Sequence, residues 1–172
     1  MNQLQRFIGQ EMFWEKTAIF GSQYQLVTNN EVLATLDIEG WGKDATAQSA
    51  EGSVAIQCRG FLNVSYHIYH ADTELAVYTP NWGGSGTLQF VDGRTFNWSS
   101  MGFFSSEYAW EDEFQHPLIR FKSSFGGGKL YMDIEPAARS IAELSLLAIL
   151  GRYLETLQQR KKRAAQNITM PH

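Results

Sequence analysis

At 172 residues, with 44% hydrophobic content and five Trp, seven Tyr and eleven Phe, the chain can bury one substantial core. That excludes wholesale disorder and sets the expectation of a single domain. A net charge of −4 argues against general nucleic-acid binding, which needs a basic excess.

Met1 to Gln10 lacks the basic start, apolar block and small-residue cleavage site of a signal peptide, and residues 1–12 read as an extension ahead of the strands. In the apolar C-terminal segment the uncharged run between Glu143 and Arg152 is only LSLLAILG, far short of the roughly 20 residues of a membrane span, so the cytoplasm is the expected address. The Asn-x-Ser/Thr triplets at Asn63, Asn97 and Asn167 are then chance matches. The lone cysteine, Cys58, allows neither an intramolecular disulfide nor a cysteine cluster for zinc.

From about Thr17 to Glu135 the pattern predicts short strands separated by turn chemistry. Leu26–Thr28 faces Val32–Leu36 across Asn29-Asn30, a pair that tolerates the positive φ of a tight hairpin. Val32, Ala34, Leu36 and Ile38 fall on one face by their period of two. Trp41-Gly42 breaks the run, and Thr46–Ser49 is a weaker strand. Val54, Ile56 and Cys58 alternate with Ala55, Gln57 and Arg59, and Val64, Tyr66 and Ile68 with Ser65, His67 and Tyr69. Ala71-Asp72 turns the chain into Leu75–Thr79, which ends at Pro80-Asn81-Trp82-Gly83-Gly84. Asp92-Gly93, a strong hairpin signal, joins Leu88 and Phe90 to Phe96 and Trp98. Tyr108 with Trp110, and Ile119 with Phe121, mark two further strands. Gly126-Gly127-Gly128 then leads into Leu130, Met132 and Ile134. About a dozen strands result, the spacing of an all-β sandwich or barrel.

The last segment is different. Pro136 suits the first residue of a helix, and a helix is predicted over 136–163, with 164–172 a flexible tail. From Ile141 to Leu157 apolar residues occupy every side of the helical wheel, which requires burial all round. Arg139 and Glu143 at one end, and Arg152 and Glu155 towards the other, are expected to emerge from that burial. Geometry then chooses the fold. About a dozen strands enclose room for a helix about 10 Å across, and strand height and helix length agree at about 25 Å. The prediction is a mainly β protein, a closed antiparallel barrel of about twelve strands around a buried C-terminal apolar helix.

This layout, with the helix AELSLLAILGRYL and the turn-strand element FVDGRTFNW, resembles the tubby C-terminal-like superfamily, and most closely its small LURP-one-related and phospholipid scramblase-like members. The resemblance implies a binding module associated with membranes or protein partners. It carries over no calcium-binding segment, palmitoylation stretch or phosphoinositide residue.

Candidate chemistry is sparse. Gly83–Thr87 and Gly126–Lys129 lack the Gly-Lys-Ser/Thr ending of a phosphate loop, and no Gly-x-Ser-x-Gly elbow occurs. His67 and His70, three apart on a strand, point to opposite faces and cannot share a metal; His116 and His172 lie in a loop and at the terminus. No metal or cofactor is expected. Glu107, Glu111 and Glu113 would share an outer strand face beside Asp112, where solvent does not raise a carboxylate pKa; pairing with Arg120 or Lys122 is the simpler use. Trp41 and Trp82, at strand ends beside glycines, are either plugs for the barrel ends or exposed anchors, plugging being the commoner use of large aromatics. Arg160-Lys161-Lys162-Arg163 is the one run of like charge, either a solvated helix end or a docking patch for anionic lipid.

The leading expectation is therefore a non-catalytic cytoplasmic binding module, peripheral to the inner face of the membrane. It would dock to anionic lipid or a protein partner through Arg160–Arg163, Trp41 and Trp82. The alternative is an enzyme with a site in barrel-end loops around Glu107, Glu111 and His116. A soluble carrier is a third reading, weakened because the helix would fill its cavity.

Overall fold

A computed structural model describes residues 2–101, 106–124, 126 and 128–169. Twelve strands follow one another as antiparallel neighbours: β1 (Met12–Lys16), β2 (Ser22–Thr28), β3 (Glu31–Ile38), β4 (Ala45–Ser49), β5 (Gly52–Arg59), β6 (Ser65–His70), β7 (Thr73–Pro80), β8 (Gly86–Phe90), β9 (Thr95–Ser100), β10 (Glu107–Glu111), β11 (Pro117–Ser123) and β12 (Lys129–Ile134). Pairing of β1 with β12, Met12 opposite Met132 and Trp14 opposite Leu130, closes the sheet into a barrel. One α-helix, α1 (Leu144–Thr169), follows.

The inward positions of nearly every strand carry a large apolar residue: Trp14, Leu26, Leu36, Ile56, Ile68, Leu88, Trp98, Trp110, Phe121 and Leu130 are all buried. They surround α1, whose residues Leu144 to Leu157 are buried without interruption. Contacts arrive from all sides of the wall. The Trp110 indole of β10 donates to the Leu147 carbonyl at 2.7 Å, and Tyr66 of β6 meets Tyr153 edge-on. At Gly151 a side chain would collide with the Phe121 ring of β11, so glycine sits mid-helix despite its cost of about 1 kcal/mol in helix propensity. Removing this axial surface from water is the main force holding barrel and helix together.

Several sequence expectations change. The expected extension over residues 1–12 overlaps the barrel, since Met12 already belongs to its closing strand, β1. Ahead of it, residues Gln3–Phe7 form a 3-10 turn with Leu4 buried. Pro136 does begin a helical turn, but a 3-10 one (Pro136–Ser140). Ile141 is extended, and α1 starts only at Leu144, because the chain must pivot from the wall to the axis. The helix then runs past 163 to Thr169, so most of the expected tail is helical. Gly127, in the expected glycine turn, and Met170, Pro171 and His172 lie outside the described residues. A register shift where Leu26↔Ala34 gives way to Val27↔Val32 leaves Leu33 as a bulge. Val32 is consequently exposed, while Ala34, Leu36 and Ile38 stay inside.

Arg152 and Glu155 do not emerge; both are buried, and they are paired. Glu155 Oε2 lies 2.7 Å from Arg152 Nη2, out of line for a hydrogen bond but close enough for the ion pair. Thr156 Oγ1 accepts from the same guanidinium, whose flat face lies 4.2 Å from the Tyr24 ring centre. Glu155 Oε1 accepts from Ser123 and Gln159.

A meander of antiparallel strands has two ends, and α1 gives them direction. It enters beside the β2–β3, β4–β5, β6–β7, β8–β9 and β10–β11 turns and leaves beside the other connections. The entry end is sealed. Asn2 Nδ2 donates to the Ala142 carbonyl at 2.7 Å, Ser145 Oγ donates to Asn2 Oδ1, and Gln5 Nε2 donates to the Arg139 carbonyl. Arg94 grips Glu143 with two hydrogen bonds of 2.8 and 2.6 Å, tying the β8–β9 turn to the segment before α1.

Candidate functional site

The exit end is built differently. Its connections carry Ile19 and Phe20 (β1–β2), Trp41 (β3–β4), Phe61 and Leu62 (β5–β6) and Trp82 (β7–β8), all almost wholly exposed. Trp41 and Trp82 are therefore not plugs. They project from the loops that hold them, and α1 rather than either indole occupies most of the opening they were expected to close. At the entry end the exposed large apolar residues are Val32, Val91 and Phe114.

Charge follows the same division. The exit-end connections and α1 beyond Leu157 hold Lys43, Arg160, Lys161, Lys162 and Arg163 against Glu39 and Asp44. The entry end holds Glu11, Glu51, Asp72, Asp92, Asp112, Glu113, Glu135 and Glu143 against Arg6, Arg94 and Arg139. An acidic chain thus carries a basic rim.

Within that rim the run Arg160–Arg163 divides. Arg160 is spent on structure: it donates to the Gly42 carbonyl at 2.8 Å, to Ser22 Oγ at 2.9 Å and to the Glu39 carbonyl at 3.0 Å. It clamps the Trp41 loop and the start of β2 to the helix. Lys161, Lys162 and Arg163 are exposed on the emerging helix.

Two hollows flank α1 at this end. One, about 520 Å³, lies towards the β1–β2 loop and is lined by Lys16, Phe20, Arg152, Arg160 and Arg163; the buried Trp14 indole N–H in its wall has no partner among the described residues. The other, about 330 Å³, opens between α1 and the β3–β4 and β7–β8 loops. Its walls are Tyr66, Tyr78, Trp98, Leu154 and Leu157, with Trp41, Lys43 and Lys161 at the lip. Burial pushes the Tyr66 phenol up to about 12 and the Tyr78 and Tyr153 phenols up as well, so all three are protonated donors at neutral pH. Tyr153 donates to the Lys43 carbonyl at 2.5 Å. A further depression, about 670 Å³, lies on the outer faces of β2 to β5 beside Gln23, Thr35, Asp37 and Gln48, and gathers no set of charges.

Among the described residues, the acidic side chains singled out from sequence are taken up in separate local contacts. Glu107 pairs with Lys122 across the β10–β11 ladder at 3.1 Å, as expected from its register, while Arg120 pairs with Glu135. Glu111 accepts from Ser99. Glu107 and Glu111 stand at opposite ends of one strand, about 13 Å apart. His116, in the β10–β11 turn, lies against Asp112, whose carboxyl is held below its usual range first by the His116 backbone N–H and then by that of Phe114. His67 contacts Glu74 and Ser65, and His70 contacts the Ser53 carbonyl; each has its own partners. Among the described residues no three His, Cys, Asp or Glu side chains converge on one point.

Ile19, Phe20, Phe61 and Leu62 were not singled out from sequence, yet a signal exists. Alternate connections of a meander fall at the same end, and Phe20, Trp41, Phe61 and Trp82 recur roughly every twenty residues, each within two residues of a glycine. That period is one hairpin. No family model matches the chain, and neither a characterised protein nor a solved structure matches it.

Proposed function

We propose that the protein is a binding module that seats its helix-exit rim on an anionic membrane surface. The observation that carries this reading is the meeting, at one end of the barrel, of exposed apolar tips from four consecutive exit-end loops with the free cations Lys161, Lys162 and Arg163. Apolar residues at loop tips suit the headgroup boundary, and a basic helix end suits anionic lipid.

Magnitudes require both parts. Three cations near an anionic surface supply about 3 kcal/mol, at about 1 kcal/mol each. Association costs at least about 4 kcal/mol, so charge alone fails. Two or three tips at about 1.5–3 kcal/mol for full burial make up the difference. Docking is end-on. Outward strand positions such as Gln25, Thr35, Gln48, Gln57, Gln89, Asn97 and Lys122 are polar, unlike the apolar band of a barrel that spans a bilayer. No helix among the described residues is long and apolar enough to cross one. A cytoplasmic, peripheral placement and membership of the tubby C-terminal-like superfamily are part of the same proposal.

Vesicle sedimentation tests it. The parent protein is expected to pellet with anionic vesicles, more at low than at near-physiological salt, and not with neutral ones. Lys161→Gln, Lys162→Gln and Arg163→Gln together, leaving the Arg160 clamp intact, should remove the salt dependence and most of the binding. Trp41→Ser with Phe61→Ser should remove the salt-resistant remainder. Equal pelleting of parent and both variants would overturn the reading.

A further inference from the structure

The hollow of about 330 Å³ at the exit rim is formed where the barrel mouth opens between α1 and the β3–β4 and β7–β8 loops, so the helix leaves one side of the mouth unfilled. Tyr66 and Tyr78 are buried to more than nine-tenths, and each lines this space. Neither hydroxyl has a hydrogen-bond partner among the described residues, although their neighbour Tyr153 has one, and neither is sealed from solvent. Two phenol donors left free beside an apolar wall favour a ligand that brings an acceptor. Lys43 and Lys161 stand at the lip, and no Asp or Glu lines the space. Lys161 is exposed, and Arg160 is already engaged by the carbonyls of Glu39 and Gly42. The remaining wall is apolar, from Leu154, Leu157 and Trp98.

From this arrangement we infer a binding site for a single-chain amphipathic carboxylate: the two phenols and the flanking lysines take the carboxylate, and the leucines and tryptophan take the chain. A hydrocarbon would leave both hydroxyls unpaired, and a small hydrophilic anion would leave the apolar wall wet. Size restricts the ligand further. About 330 Å³ is near the lower limit of small-molecule pockets, which admits a chain on the order of ten carbons and excludes a whole phospholipid. The site shares Trp41 and Lys161 with the rim, but its two phenols are buried residues that are not among the exposed tips, so their variant separates it from membrane docking.

Decanoate, kept below its micelle concentration, is the probe, with decanol as the neutral control and no vesicles present. Titration calorimetry of the full chain should give saturable binding of one decanoate, with decanol at least roughly tenfold weaker. Tyr66→Phe with Tyr78→Phe, which keeps the rings and removes the donors, should weaken decanoate roughly tenfold and leave decanol unchanged. Leu157→Trp, which fills the hollow, should abolish both; if that variant does not melt cooperatively, the phenylalanine pair decides alone. Equal affinity for decanoate and decanol, non-saturable uptake, or a phenylalanine pair that binds decanoate as the parent does would overturn the inference. Sedimentation of the phenylalanine pair with anionic vesicles, expected at parent level, separates this site from the docking surface.

Discussion

The two ends of the barrel are made from the same kind of connection and do opposite things. At the entry end, turns such as Asn29-Asn30 and Ala71-Asp72 are as short as the strands allow, with φ of 48°, 64° and 51° at Asn29, Asn30 and Ala71. Asn2, Gln5 and Arg94 lock that end to the start of the axial segment. At the exit end the connections run to several residues and end in side chains that touch little of the protein. Burial drives folding, so a fold that leaves Phe20, Trp41, Phe61 and Trp82 in water gains nothing from them. The entry end holds the structure together; the exit end presents it.

The largest effect expected from breaking this division is on the axis that joins the two ends. Leu147→Asp places an unpaired charge among Trp110 and its neighbours, at a cost of several kcal/mol against a total stability of about 5–15 kcal/mol. Purified variant should aggregate or lack a cooperative melt. A soluble variant with the parent melting temperature would mean that α1 is not the core.

A smaller pair of changes sharpens the contrast. Asn2→Ala removes a capping side chain and its bonds to Ala142 and Ser145, and should cost about 0.5–2 kcal/mol in urea unfolding. Trp41→Ser deletes a much larger side chain and should move stability by no more than about 0.5 kcal/mol. If the tryptophan change proved the costlier, the two ends would not be specialised as described.

The smallest effect is a pH dependence at the entry end. Asp112 has its pKa lowered on folding by the backbone N–H groups of His116 and Phe114. Its contribution is therefore complete above its unfolded value of about 4 and is lost as pH falls through the lower folded value. Melting temperature measured from pH 6 down to pH 2 should fall slightly less steeply for Asp112→Asn than for the parent. A steeper fall would show that the carboxylate is not stabilised in the folded state.

Most of the architecture was legible because it rests on local chemistry. Asn29-Asn30 and Asp92-Gly93 specify their turns, and the all-round apolar wheel of α1 requires a surrounding wall whatever the detail. What was hidden depends on distant partners. Met12–Lys16 becomes a strand by pairing with Lys129–Met132, more than a hundred residues away, and no local pattern announces it. The pivot at Ile141 exists because the chain must leave the wall for the axis. Arg152 and Glu155 looked like an emerging end because neither residue alone reveals that its counter-charge lies three residues along the same helix. The residues of the exposed rim were half legible. Trp41, Trp82 and the basic run were singled out, but burial frequency favoured the wrong use of the tryptophans, and Arg160 could not be known to clamp a loop.

The position of α1 in the chain has a consequence for how the protein is made. Every strand precedes it, so a ribosome finishes the entire wall before it delivers the segment that fills it. At about 5–20 residues per second, the inward rings of Trp14, Trp98, Trp110 and Phe121 wait seconds for their partner. Neighbouring strands can pair as they emerge, since each hairpin is local, but β1 and β12 have no reason to meet around an empty centre. Closure and filling are then a single late event. In the interval the chain displays the sticky interior of a barrel that does not yet exist.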